Sequence, residues 1–272
     1  MTAPGTPIPV GLKSAALLAV VCVAGLAMFA WPLFSPAAPQ NAEHAADAPY
    51  LFIVLLPVLI LLIAVQLTEG GLDAKALAML GVLSAVNAAM RPIGAGTNGI
   101  ETVLFLLIAA GRVFGPGFGF LLGCTSLFAS ALLTAGVGPW LPFQMLTSAW
   151  VGMGAGLLPG RRRWRGAREI ALLVVYGVVA AYLFGALMNL WFWPFVGESA
   201  GDTAGLAYIP GGPLGENLRR FGVFTLITST AVWDTGRAVT TTLLTVVLGP
   251  SVLAILRRAS RRANFAPQIE FV

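Results

Sequence analysis

Asp234 and Arg237 stand three residues apart in an otherwise apolar stretch near the C-terminal end. On a helix that spacing sets a carboxylate beside a guanidinium. Thr230, Trp233 and Thr241 join them at steps of three and four, so all five share one face. Ionisable groups inside a bilayer are costly and mark function by default. Two roles fit the pair: a self-neutralised structural link, or charges turned toward a ligand.

Asn189 and Trp193 repeat the pattern four residues apart, with Tyr182 one or two turns earlier. The run 136–145 reads Gly-Val-Gly-Pro-Trp-Leu-Pro-Phe-Gln-Met. Its glycines and prolines make a rigid turn. Trp140, Gln144 and Ser148 then fall on one helical face. Anchoring at the membrane interface explains such tryptophans as well as ligand contact does. Arg91 precedes Pro92 at the end of one helix, and Glu101 opens the next. Arg91, Glu101, Trp140, Gln144, Asn189, Trp193, Trp233, Asp234 and Arg237 are therefore expected around one outward cavity. A lining that mixes aromatic and polar groups suits a small molecule.

Other chemistries lack their residues. The single histidine, His44, and two cysteines, Cys22 and Cys124, cannot supply a structural zinc site. Both cysteines lie in apolar runs and read as small buried hydrophobes. A serine–histidine triad would have to use His44, which sits in an Ala/Pro-rich stretch. No phosphate-binding Gly-x-x-x-x-Gly-Lys-Ser/Thr motif occurs, so the chain is not expected to hydrolyse ATP. One intramembrane carboxylate beside an arginine is a poor basis for an ion-driven pump. A membrane enzyme acting on lipid would have to be built from Asp234, Arg237 and Glu101.

The elements that position these groups follow from composition. Of 272 residues, 58% are hydrophobic and 10% charged. A soluble domain carries about 25% charged residues, so the bilayer is the main solvent. Eight apolar segments are expected to span it: 13–34, 50–67, 75–90, 100–113, 118–134, 140–158, 169–195 and 221–256. Their sequences do not alternate as barrel strands do, so they are helices. The third and fourth are short and suit packing among neighbours, whereas the eighth is too long for one straight span. The first resembles either a signal peptide or, with Phe29, Trp31 and Phe34 at its end, an uncleaved anchor.

Eight spans place both termini on one side. Lys13, Lys75, Arg112 and the clusters at 161–168 and 257–262 put 12 of the 16 basic residues on that same face. The positive-inside rule makes it the cytoplasm. The clusters then read as topology determinants near anionic lipid heads, not as a nucleic-acid surface. A Gly/Pro-rich outer loop covers 196–220, a length that is more often functional than idle. Ala74, Ala78, Gly81 and Ala85 recur on the third span, and such small residues let helices approach closely.

Three runs carry a family resemblance: Ala110 to Gly123, with its Gly-Arg-Val-Phe-Gly-Pro-Gly-Phe-Gly core; Gly136 to Met145; and Gly152 to Leu158. Together they resemble the substrate-binding (S) component of energy-coupling factor vitamin transporters, most closely the cobalamin-associated CbrT branch. The resemblance implies an all-α polytopic protein. Residues 71–258 would form a six-helix substrate-binding core, preceded by a two-helix extension at 1–70 and followed by a tail at 259–272. It implies a transported vitamin, cobalamin or a related corrinoid, and no cofactor of the chain's own. It implies a transmembrane coupling protein (EcfT-like) and two ATPase subunits that use ATP. Ala74, Ala78, Gly81 and Ala85 would meet the coupling protein. The S component would topple in the membrane to carry its ligand across. The coupling protein itself is a poor match, because the chain lacks its long cytoplasmic helices. No enzymatic activity is expected.

Overall fold

The computed structural model describes residues 10–30, 33, 57–58, 60–62, 64–65, 73–94, 99–160, 163–195 and 205–263. Among them the chain is helical and contains no strand. The helices are α1 (Leu12–Ala30), α2 (Ala74–Met90), α3 (Val103–Phe114), α4 (Pro116–Leu133) and α5 (Leu141–Leu157). There follow α6 (Ala167–Phe192), α7 (Leu214–Thr225), α8 (Thr235–Val247) and α9 (Gly249–Ala263). A stretch of π-type hydrogen bonding, Leu226–Asp234, joins α7 to α8.

Leu12–Ala30, Ala74–Gly94, Pro116–Leu133 and Ala167–Phe192 are long and apolar enough to cross a membrane. Leu214–Val247 and Gly249–Arg261 form a bent fifth candidate, with 66° between its arms. The chain is a multi-pass membrane protein, with fewer full-length spans among the described residues than the eight expected. Two differences have physical causes. All 12 residues of α3 are buried, so this short helix is surrounded by protein and never has to match the bilayer thickness. The overlong 221–256 segment breaks at Leu248, and Gly249-Pro250 opens the next helix. Proline removes a helical donor and glycine resists helix, so the chain turns there. The expected span 50–67 lies largely outside the described residues. Within it Leu62 is fully buried.

The core is built around α3, α4 and α5. Gly115 (φ 105°) ends α3, its N–H bonding to the Gly111 carbonyl, and Pro116 opens α4. This gives a tight reversal between antiparallel helices. α4 and α5 cross at Gly119 and Gly152, where a side chain on either would strike the other's carbonyl oxygen. Backbone contact of this kind is how membrane helices associate when lipid supplies no hydrophobic drive.

α2 packs on α4 through polar side chains. Ser84 Oγ and Thr125 Oγ1 share a hydrogen bond of 2.7 Å, and Asn87 Nδ2 donates to Ser126 Oγ at 3.0 Å. Ala76, Leu80, Ser84, Asn87 and Ala88 are the buried residues of α2. Ala74, Ala78, Gly81 and Ala85 lie on its exposed side.

α1 is docked on the bundle. It buries Ser14, Leu18, Val21, Gly25 and Phe29, a stripe of three- and four-residue steps. Phe29 meets the Phe143 ring edge-on at 4.9 Å and Trp150 at 5.6 Å. The N-terminal helix therefore shares the core of the molecule.

Candidate functional site

The loop after α2 and the last long helix meet at one end of the bundle. Arg237 on α8 donates from Nε to Glu101 Oε2 at 2.5 Å and from Nη1 to Asp234 Oδ1 at 2.7 Å. Asp234 is fully buried. Its second oxygen, Oδ2, accepts from Ser229 Oγ at 3.0 Å. The guanidinium also lies over the Phe184 ring, 4.7 Å from its centroid, a favourable cation–π placement. One positive group is thus held between two carboxylates from different parts of the chain. A buried charge persists only when it is neutralised and hydrogen-bonded in this way.

Local backbone geometry makes the arrangement possible. Ser229 and Asp234 are five residues apart, as are Thr230 and Thr235, whose Oγ1 donates to the Thr230 carbonyl at 2.7 Å. Five-residue pairing belongs to a π-type turn, a form concentrated at functional sites. Tyr182 OH and Thr235 Oγ1 share a 3.0 Å hydrogen bond that ties α6 to this turn. Gly185 supplies the space: any side chain there would overlap the Asp234 carboxylate. Gly99 (φ 76°) lies against the carbonyls of Val232 and Trp233, so the loop backbone rests on the π turn.

A second pair sits beside this one. Arg91 donates from Nη2 to Gln144 Oε1 at 2.8 Å, joining the end of α2 to the first turn of α5. Glu101 acts electrostatically on Arg91 as well, so the two pairs belong to one polar field. Thr102 Oγ1 donates to the Met90 carbonyl at 2.9 Å and holds the two loop ends together.

Of the residues expected around the cavity, five are thus joined: Arg91 with Gln144, and Glu101 with Arg237 and Asp234. The other four are placed differently. Asn189 leaves its Nδ2 buried without a hydrogen-bond partner. Trp140 and Trp233 are partly exposed, at 39% and 45%. Trp193 is fully buried in a separate apolar cluster with Tyr208 and Phe224. Its Nε1 donates to the Leu206 carbonyl at 2.7 Å.

That cluster anchors the later part of the expected outer loop. Asn217 brackets Ile209, accepting its N–H at 2.9 Å and donating to its carbonyl at 2.8 Å. From Leu214 the chain is helix, not loop. Glu216 accepts from Arg219 and Arg220, and these hydrogen bonds pull its carboxyl down to about 2. Residues 196–204 lie outside the described set.

A second charged cluster occupies the opposite ends of α3 and α6. Arg112 Nε donates to Glu169 Oε1 at 2.8 Å, and Arg257 Nη2 donates to both Glu169 oxygens at 2.6 and 2.7 Å. Arg112 Nη1 reaches the Leu158 and Pro159 carbonyls at 3.1 and 3.0 Å. Arg112 and Glu169 are buried, so these residues do more than set topology. They tie α3, α6 and α9 together. The helical rise from Val103, two residues after Glu101, to Arg112 is about 14 Å.

Among the described residues the chain is an all-helical bundle with membrane-crossing helices and a neutralised polar cluster at one end. Residues 75–256, well over half of the chain, match the family model described as ECF transporter, substrate-specific component. The chain belongs to that family. It is a family of transporter substrate-binding subunits, not of enzymes, and its members work with a transmembrane coupling protein and ATPases. No curated protein and no solved structure matches the chain.

Proposed function

We propose that this substrate-specific subunit binds a vitamin at the Arg237 end of the bundle and delivers it across the membrane. A coupling protein and two ATPases would supply the energy. The observation that carries this reading is the Glu101–Arg237–Asp234 link beside Arg91–Gln144. Two arginines, two carboxylates and an amide from three separate segments gather at one helix end. A purely structural pair would need only one of each charge. Asn189, with a buried unpartnered amide, is a further candidate contact.

Cobalamin or a related corrinoid is the preferred ligand, on the resemblance of the 136–145 run to the cobalamin branch. A corrinoid carries many amides and a phosphate, which suit arginine and glutamine donors. The ligand end faces outward and both termini face the cytoplasm, on the distribution of basic residues. The exposed Ala74, Ala78, Gly81 and Ala85 give α2 a smooth surface for the coupling protein.

Calorimetry of the detergent-solubilised protein against a vitamin panel tests the reading. Cobalamin should bind, and Arg237→Gln should weaken it. Binding of a different vitamin alone would replace the corrinoid, and binding of none would overturn the function.

A further inference from the structure

The N-terminal helix α1 lies outside the residues that match the family, 75–256, yet its last turn packs against the residue next to Gln144. Phe29 is almost fully buried. Its ring meets Phe143 of α5 edge-on, with 4.9 Å between centroids, and Phe143 in turn lies 5.3 Å from Trp191 of α6. Trp150, further along α5, also meets Phe29, at 5.6 Å. Gly25 lets α1 come this close, since a side chain there would stand 2.9 Å from the Trp150 indole. Leu33, three residues beyond α1, packs against the Trp193–Tyr208–Phe224 cluster. The N-terminal segment thus reaches both apolar clusters of the molecule.

The contact acts on the first turn of α5. Its N-cap, Trp140, makes no side-chain capping bond, so the turn starts without the usual brace. The close backbone contacts of α4 with α5 fall at Ser148–Ala149 and Gly152, and Gly156 meets Pro116, all beyond that turn. Phe143 is buried, and Gln144 follows it about 100° further round the helix. The seating of Phe143 therefore sets where Gln144 points, and with it the 2.8 Å bond from Arg91 Nη2 to Gln144 Oε1. We propose that Phe29 is a positioning residue for the ligand end, holding Phe143 so that Gln144 stays paired with Arg91; this rests on the vitamin site lying at that end. The N-terminal helix is then a working part of the binding subunit, although Phe29 itself touches no ligand.

Hydrogen–deuterium exchange of the full chain in detergent reads the first step without any ligand. Phe29→Ala should speed exchange at amides 144–147 several-fold, toward the roughly tenfold that one aromatic pair is worth, and leave 152–157 unchanged. Leu18→Ala, which empties a buried site nearer the start of α1, should leave 144–147 at the wild-type rate. Calorimetry with cobalamin reads the second step. Phe29→Ala and Gln144→Ala should each weaken binding, and the double variant should be no weaker than Gln144→Ala alone, because Phe29 acts through that residue. Additive losses, wild-type exchange at 144–147, or the same faster exchange in Leu18→Ala overturn the proposal. If Phe29→Ala does not fold, Phe29→Leu, which keeps apolar volume without the ring edge, takes its place in both measurements. If the wild type binds no cobalamin, the corrinoid assignment fails, and the exchange pattern alone decides the role of Phe29.

Discussion

Gly185 lies directly against Asp234, so close that a methyl group on residue 185 would occupy the space of the carboxylate. The helix that offers no side chain and the helix that offers a buried charge fit as socket and plug. The fit fixes the rotation of α6 relative to α8. It also leaves Asp234 Oδ1 facing Arg237 and Oδ2 facing Ser229.

Gly185→Ala should therefore break the Asp234–Arg237 link through steric displacement alone. Overpacking of this kind costs about 1–3 kcal/mol. A lower melting temperature in detergent, together with weaker ligand binding, is the expected result. Unchanged melting would mean that Asp234 has another place to go.

The three charges should not be equal. Arg237 neutralises both Asp234 and Glu101, so Arg237→Gln strands two carboxylates. Asp234→Asn leaves Arg237 its Glu101 partner. Breaking a buried pair from one side costs about 3–5 kcal/mol, and the arginine change should reach or exceed that range. The asparagine change should cost clearly less. Thermal unfolding of the two variants side by side gives the order, and a reversed order would refute the shared-arginine account.

Acid should act on Glu216. Its folded-state value of about 2 lies below the ordinary 4.5. The contribution of its arginine contacts is therefore full above about pH 4.5 and is lost as the pH falls toward 2. A carboxyl-labelled NMR titration of the detergent-solubilised protein should put the Glu216 midpoint well below those of other exposed carboxylates. A midpoint near 4.5 would show that Arg219 and Arg220 do not hold it in solution.

Two glycines separate packing from docking. Gly152→Ala presses a methyl group on the Gly119 carbonyl and should cost about 1–3 kcal/mol. Around Gly81 there is open space, so Gly81→Leu should leave the melting temperature unchanged. If α2 is the face the coupling protein meets, the same change should abolish co-purification of that partner. Retained co-purification would remove Gly81 from the docking surface.

Some of this was legible from sequence because it is local. Asp234 and Arg237 are one helical turn apart, and their pairing follows from the spacing. The apolar, helical character of the described residues follows from composition and the lack of alternation. Ser229 was not legible because helical periods of three and four do not bring a residue five positions back into contact, and only a π turn makes that neighbour a partner. Gly185 carried a signal of its own, a glycine within a long apolar helix. Glu169 was hidden by distance: its partners Arg112 and Arg257 are 57 and 88 residues away. Their arginines looked like charges left at the membrane surface. The 221–256 run was legible as too long for one straight span, and Gly249-Pro250, the signal for the bend, stands within it.

The crossing of Gly119 over Gly152 has a mechanical consequence. A joint made of backbone has no rotamers to exchange and no side chain that bends. Helices α4 and α5 form a stiff spine that moves as one piece. Compliance is left to the ionic clasps at either end, where long arginine side chains can let go and re-form. Any large motion of this molecule should begin at those clasps and leave the spine unaltered.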